Sequence, residues 1–128
     1  MKSILLCLLC FFAAAPLLAQ HGGKAEPNRI KFAVGKSSAA LTGKLSNDEE
    51  MEYVFGASKG QKVTIRNTRT SHFDFRVFSD EFNFETEFES SPILTFEIPE
   101  TGDYMFFVRK KQVRSPRTAR FSLTLSIK

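Results

Sequence analysis

From Arg29 to Ile127 the apolar residues of this chain recur with a period of two, in runs too short and too closely spaced to be helices. "RIKFAV" (29–34) alternates through Ile30, Phe32 and Val34, "EYVF" (52–55) presents Tyr53 and Phe55, and "QKVTIRN" (61–67) presents Val63 and Ile65. "HFDFRVF" (72–78) places Phe73, Phe75 and Val77 on one face, "EFNFETEF" (81–88) places Phe82, Phe84 and Phe88, and "ILTFEI" (93–98) follows with Leu94, Phe96 and Ile98. "YMFFV" (104–108) and "RFSLTLSI" (120–127) close the series with Tyr104, Phe106 and Val108, then Phe121, Leu123, Leu125 and Ile127. Successive side chains of a strand point to opposite faces, so each run is a ribbon with one face to bury. The connecting stretches "VGKSS", "SKGQ", "SSP" and "PETG" hold Gly or Pro where a strand ladder would break. No stretch combines ten residues of helical periodicity with caps. The pattern predicts an all-β fold, a single antiparallel two-sheet sandwich of about eight strands with a core rich in phenylalanine.

The first residues do not belong to that pattern. "MKSILLCLLCFFAAAPLLAQ" carries one Lys, an apolar run from Ile4 to Ala15 and a small residue at Ala19, the layout of a secretory signal peptide whose run is too short to span a bilayer. Residues 1–19 are expected to be that signal, residues 20–28 a flexible polar tail, and residues 29–128 the sandwich domain. Cleavage between Ala19 and Gln20 removes Cys7 and Cys10, so the exported chain has no thiol for a disulfide, a nucleophile or a metal site. One of the 18 basic residues leaves with the signal, and 17 remain against 14 acidic ones. The expected location is periplasmic or secreted.

Catalytic constellations are absent from the pattern. His21 lies in the tail and His72 begins a strand, and neither Ser71 nor Ser79 sits in a nucleophile-elbow context. Glu81, Glu85, Glu87 and Glu89 alternate with phenylalanines, as the wet face of a half-buried strand does, and Asp80 to Glu89 lacks the spacing of a calcium loop. "VGKSS" lacks the second glycine and the helix of a phosphate-binding loop. The chain is therefore not expected to be an enzyme, to hold a metal or cofactor, to bind nucleic acid or to insert stably in a membrane.

The last segment stands apart by charge. After Asp103 there is no acidic residue, while Arg109, Lys110, Lys111, Arg114, Arg117, Arg120 and Lys128 follow one another. A turn between two apolar strands needs none of this, so the basic stretch asks for a purpose. Arg109, Lys110 and Lys111 also fit an ordinary solvated edge that discourages strand-to-strand aggregation. Tyr104 shares its parity with Phe106 and Val108, so a core or corner tyrosine is an equal reading of it.

Two stretches, "FAVGKSSAALTGKLSNDEEMEYVFGASKGQKVTI" (32–65) and "IPETGDYMFFVRKKQVRSPRTARFSLTLSIK" (98–128), resemble the family of periplasmic inhibitors of g-type lysozyme. That family lies within a wider group of sandwiches similar to the bacterial pre-peptidase C-terminal domain. "YVFGASKGQKV" and "PETGDY" are shared with the wider group, and "GKSSA" with the basic loop narrows the resemblance to the inhibitors. The resemblance implies a protein partner, g-type lysozyme, whose cleft is entered by a Ser-Gly-x-Tyr element and by loop arginines. Here that element reads Thr101, Gly102, Asp103, Tyr104. Counted back from the last strand, Arg114 takes the place of a family arginine; counted forward from Tyr104, Gln112 falls where another stands, with Arg117 as its substitute. A family tyrosine after "GKL" is replaced by Asp48 or its neighbours. The resemblance thus implies one inhibitory surface of Thr101, Gly102, Tyr104, Gln112, Arg114 and Arg117. The alternative it leaves open is a non-catalytic binding module for a glycan or another exported protein.

Overall fold

The structure is a computed structural model describing residues 27–128. The expected signal peptide and the tail as far as residue 26, with Cys7, Cys10 and His21, lie outside the described residues. The rest is all β, with nine strands and no helix among the described residues: β1 (Asn28–Arg29), β2 (Ser38–Ser46), β3 (Glu50–Ala57), β4 (Lys62–Asn67), β5 (Phe73–Ser79), β6 (Phe84–Glu85), β7 (Ile93–Glu97), β8 (Gly102–Lys110) and β9 (Thr118–Ile127). They form a five-stranded sheet in the order β1-β3-β8-β5-β6 and a four-stranded sheet in the order β2-β9-β4-β7. Every pairing is antiparallel except β1 with β3, where Asn28 and Arg29 align in parallel with Tyr53 and Val54.

Period-two patterning sets the register, since a slip of one residue would turn each apolar face to water. Tyr53 and Phe55 of β3, Tyr104, Phe106 and Val108 of β8, and Phe73, Phe75 and Val77 of β5 form one inner face. Facing them are Leu41 and Leu45 of β2, Phe121, Leu123 and Leu125 of β9, and Val63 and Ile65 of β4. Aromatic rings knit the layers together: Phe73 meets Phe121 across the sandwich at 5.7 Å, edge to face, and Phe84 meets Phe96 at 5.3 Å. Fully burying each such side chain contributes ~1.5–3 kcal/mol.

Three local departures from the alternation have physical causes. β2 is a ninth strand, masked in the sequence because Gly43 stands at the inward position between Leu41 and Leu45. A Cβ there would lie 2.6 Å from the Phe121 ring, so the aromatic fills the place of a side chain. "RIKFAV" is strand only at its start, since Ile30 is buried but Val34 is fully exposed in a turn with Gly35 at φ 77°. In "EFNFETEF" residues 80–83 form a turn with Asn83 at φ 50°, leaving a two-residue strand and an isolated bridge from Glu89 to Phe75.

Candidate functional site

The basic stretch occupies one end of the sandwich, where three connections meet: the β2–β3 turn at Asn47–Glu49, the β4–β5 connection at 68–72 and the β8–β9 loop at 111–117. Lys110 creates this junction. It has the inward parity of Tyr104, Phe106 and Val108, so its side chain runs into the end of the core and is 0% exposed. Its ammonium donates to Asn47 Oδ1 (2.9 Å) and to the Lys111 carbonyl (2.8 Å). Burial, and then the Arg69 charge, push its pKa below the usual lysine value.

Asn47 is the hub of the loop. Beyond accepting from Lys110, its Nδ2 donates to the Val113 carbonyl at 2.7 Å, its Oδ1 takes a longer bond from Val113 N–H at 3.4 Å, and its backbone N–H donates to the Arg117 carbonyl at 2.8 Å. Lys111 ties the loop to its other neighbour, since its N–H donates to the His72 carbonyl and its ammonium to the Thr70 carbonyl, both at 2.8 Å. Held at these points, the loop presents Gln112, Arg114 and Arg117 outward, all exposed. Among the described residues neither the Arg114 nor the Arg117 guanidinium has a hydrogen-bond or ion-pair partner within the chain. Each keeps its planar fork of donors for an external acceptor. Asp48 is exposed in the adjoining turn at φ 65°, its N–H donating to the Lys110 carbonyl.

The Thr101–Tyr104 element lies at the opposite end. β8 runs from Gly102 to Lys110, and eight extended steps of ~3.4 Å separate the two by roughly 27 Å. A nine-residue strand therefore lies between this turn and the loop arginines, which the resemblance had grouped as one surface. Tyr104 is enclosed by the core. It is 0% exposed, stacks on Phe55 at 5.8 Å, touches Phe82 and Phe84, and donates its hydroxyl to the Glu100 carbonyl at 2.6 Å. A phenol bonding four residues back is a corner tyrosine, closed to any partner, and burial pushes its pKa up. Gly102 makes room for Phe82, whose ring lies 2.6 Å from where a Cβ would sit. Thr101 is exposed, but its Oγ1 accepts from Lys59 N–H at 2.9 Å and braces two turns together.

The solvated-edge reading of Arg109, Lys110 and Lys111 is overturned as well. Arg109 forms a bidentate pair with the buried Asp74 (3.1 and 2.8 Å) and lies 3.7 Å from the centre of the Phe88 ring. Lys110 and Lys111 are consumed by the contacts above. The carboxylates of the acidic stretch are dispersed: Glu85 pairs with Arg76 at 2.9 Å and Glu89 accepts from Ser91. Among the described residues no group of three or more His, Cys, Asp or Glu is placed to hold a metal ion.

Sequence reasoning missed Asn47 and the structural role of Lys110. The parity of Lys110 with three core residues was the available signal, because a lysine on an apolar face must find partners.

Comparison with solved structures shows the fold. The periplasmic lysozyme inhibitor of g-type lysozyme from Aeromonas hydrophila is 24% identical with a TM-score of 0.66, over 80% of this chain and 96% of that one. The Salmonella Typhimurium inhibitor of g-type lysozyme is 21% identical with a TM-score of 0.66, over 82% and 100% of the two chains. A pre-peptidase C-terminal domain of a Bacillus anthracis collagenase is 15% identical with a TM-score of 0.53, over 84% and 100%. No protein-family pattern matches the chain, and no curated protein matches it in sequence.

Proposed function

We propose that this protein is exported by its N-terminal signal, cut between Ala19 and Gln20, and inhibits g-type lysozyme from the periplasm or outside the cell. The observation that carries the reading is the β8–β9 loop: a braced backbone with two exposed guanidinium groups, Arg114 and Arg117, that nothing within the described residues neutralises. Likeness in fold to periplasmic inhibitors of g-type lysozyme supports the choice of partner.

The chemistry follows from what a lysozyme needs. Cleaving a glycan strand takes a carboxylic acid in a groove wide enough for an extended sugar chain. A rigid loop in that groove excludes substrate, and an arginine fork pairs with the carboxylate so that its proton cannot be delivered. Bracing by Asn47, Lys110 and Lys111 lowers the ordering cost of binding, because the loop is already shaped. Gln112 and Arg117 flank Arg114 as further contacts. Thr101, Gly102 and Tyr104 have a structural part in this reading, shaping the far end of β8.

The test is hydrolysis of peptidoglycan by g-, c- and i-type lysozymes at rising ratios of this protein. Inhibition confined to the g-type enzyme is expected. Equal inhibition of g- and c-type enzymes would mean that non-specific cationic adsorption explains the effect, and binding without inhibition would favour a non-catalytic binding module.

A further inference from the structure

The two outer faces of the sandwich treat their charges in opposite ways. On the five-stranded sheet Arg29 pairs with Asp103, Arg76 with Glu85 and Arg109 with Asp74. The outer face of the four-stranded sheet carries Lys44 of β2, Arg120 of β9, Lys62 and Arg66 of β4, and Lys128 after β9, all exposed. Among the described residues none of these five is in a salt bridge, and Glu97, in register with Lys62, is the one carboxylate on the face. Five like charges on one sheet repel one another, so leaving them unpaired costs stability unless an external anion compensates.

Their placement is ordered. Lys44 is the direct partner of Arg120 near one end of the sheet, and Lys62 is hydrogen-bonded through its backbone to Lys128 at the other. Eight steps of ~3.4 Å between positions 120 and 128 make a strip roughly 27 Å long. Between the cations the side chains are short hydroxyls. Lys62, Arg66 and Lys128 surround a shallow trough of about 230 Å³ whose remaining walls are Thr64, Thr95 and Ser126.

We infer that this face binds an acidic polysaccharide, its carboxylate, sulfate or phosphate groups meeting the five cations and its sugar hydroxyls meeting the Thr and Ser row. The long strip suits an extended polymer, and the hydroxyl-lined trough suits a sugar unit. A lipid surface fits less well, because among the described residues Ile93 at the edge strand is the only large exposed apolar side chain on this face. Single-stranded nucleic acid lacks its stacking partners, since no aromatic side chain points outward from β2, β9, β4 or β7. The inference is independent of the lysozyme reading, which rests on the loop.

The test is binding of the exported chain to polygalacturonate and dextran sulfate, with neutral dextran, phosphatidylglycerol vesicles and single-stranded DNA alongside. Expected is binding to both acidic glycans that weakens as salt rises from about 0.1 to 1 M, where the screening length falls from about 10 to 3 Å. The triple variant Lys62→Gln/Arg66→Gln/Lys128→Gln should bind them about tenfold more weakly with an unchanged circular dichroism spectrum, whereas Arg114→Ala/Arg117→Ala should bind them like the parent. Arg66→Glu alone, an exposed change, gives a second measure and should also weaken binding. Parent-like affinity in both face variants, equal binding to neutral dextran, or tighter binding to vesicles or DNA than to either glycan would each overturn the assignment.

Discussion

Replacing Asn47 with Ala tests the brace beneath the basic loop. The change deletes the 2.7 Å bond to the Val113 carbonyl and the acceptor for the Lys110 ammonium, leaving a fully buried cation with the Lys111 carbonyl alone. A neutral hydrogen bond contributes ~1 kcal/mol and one to a buried charge ~2 kcal/mol, so Asn47→Ala should cost about 3 kcal/mol. For a domain of this size that lowers Tm by roughly 15 °C. Lys110→Met should cost less, because the charge leaves with its partners and an apolar stem of similar length remains. It should also remove a pH dependence. The folded lysine has a lowered pKa, so folding is penalised while the group is charged, and stability rises as pH climbs from the folded pKa toward 10.5. Urea unfolding followed by circular dichroism at several pH values gives both costs and the pH dependence, and a thermal melt gives the Tm. A cost for Asn47→Ala under about 0.5 kcal/mol, or a larger cost for Lys110→Met, would refute the reasoning and mean that water replaces the hub freely.

Other substitutions separate structure from binding. Tyr104→Phe should lose about 1–2 kcal/mol by leaving the Glu100 carbonyl unpaired, and should inhibit lysozyme as well as the parent in a peptidoglycan assay. Gly43→Ala should cost about 1–3 kcal/mol in chemical denaturation, because its Cβ and the Phe121 ring compete for the same space. His72 has its pKa lowered by desolvation and by Arg69, Lys110 and Lys111, so protonation opposes folding. That penalty is absent above pH 6.5, grows as pH falls below it, and is complete below the folded pKa; Tm measured from pH 7.5 to 5 should fall further for the parent than for His72→Gln.

The layered fold was legible because six of the eight stretches alternate cleanly enough to mark their inward faces, and Phe73, Phe106 and Phe121 all stand where that parity puts them. β2 was not, because at Gly43 the inward volume is supplied by Phe121, a residue 78 positions away in sequence that backbone pairing brings directly opposite. Charge concentration after Asp103 was legible as composition, but the fate of each charge was not. Arg109 finds Asp74 on the neighbouring strand β5, 35 positions back in sequence, and Phe88 in the segment after β6, while Lys110 finds Asn47 across 63 positions, pairings fixed by topology. Distance along a strand was not legible from the sequence: the Thr101–Tyr104 element and Arg114 are close in sequence, yet β8 carries the chain from one end of the sandwich to the other between them.

The most direct measurement is calorimetric titration of a g-type lysozyme with the parent and with Arg114→Ala/Arg117→Ala, with Tm recorded for both. The parent should bind one to one, and the double variant should lose at least ~2 kcal/mol, about thirtyfold in affinity, with an unchanged Tm. Parent-like binding by the double variant, or no binding by the parent, would contradict the assignment of the basic loop as the inhibitory element.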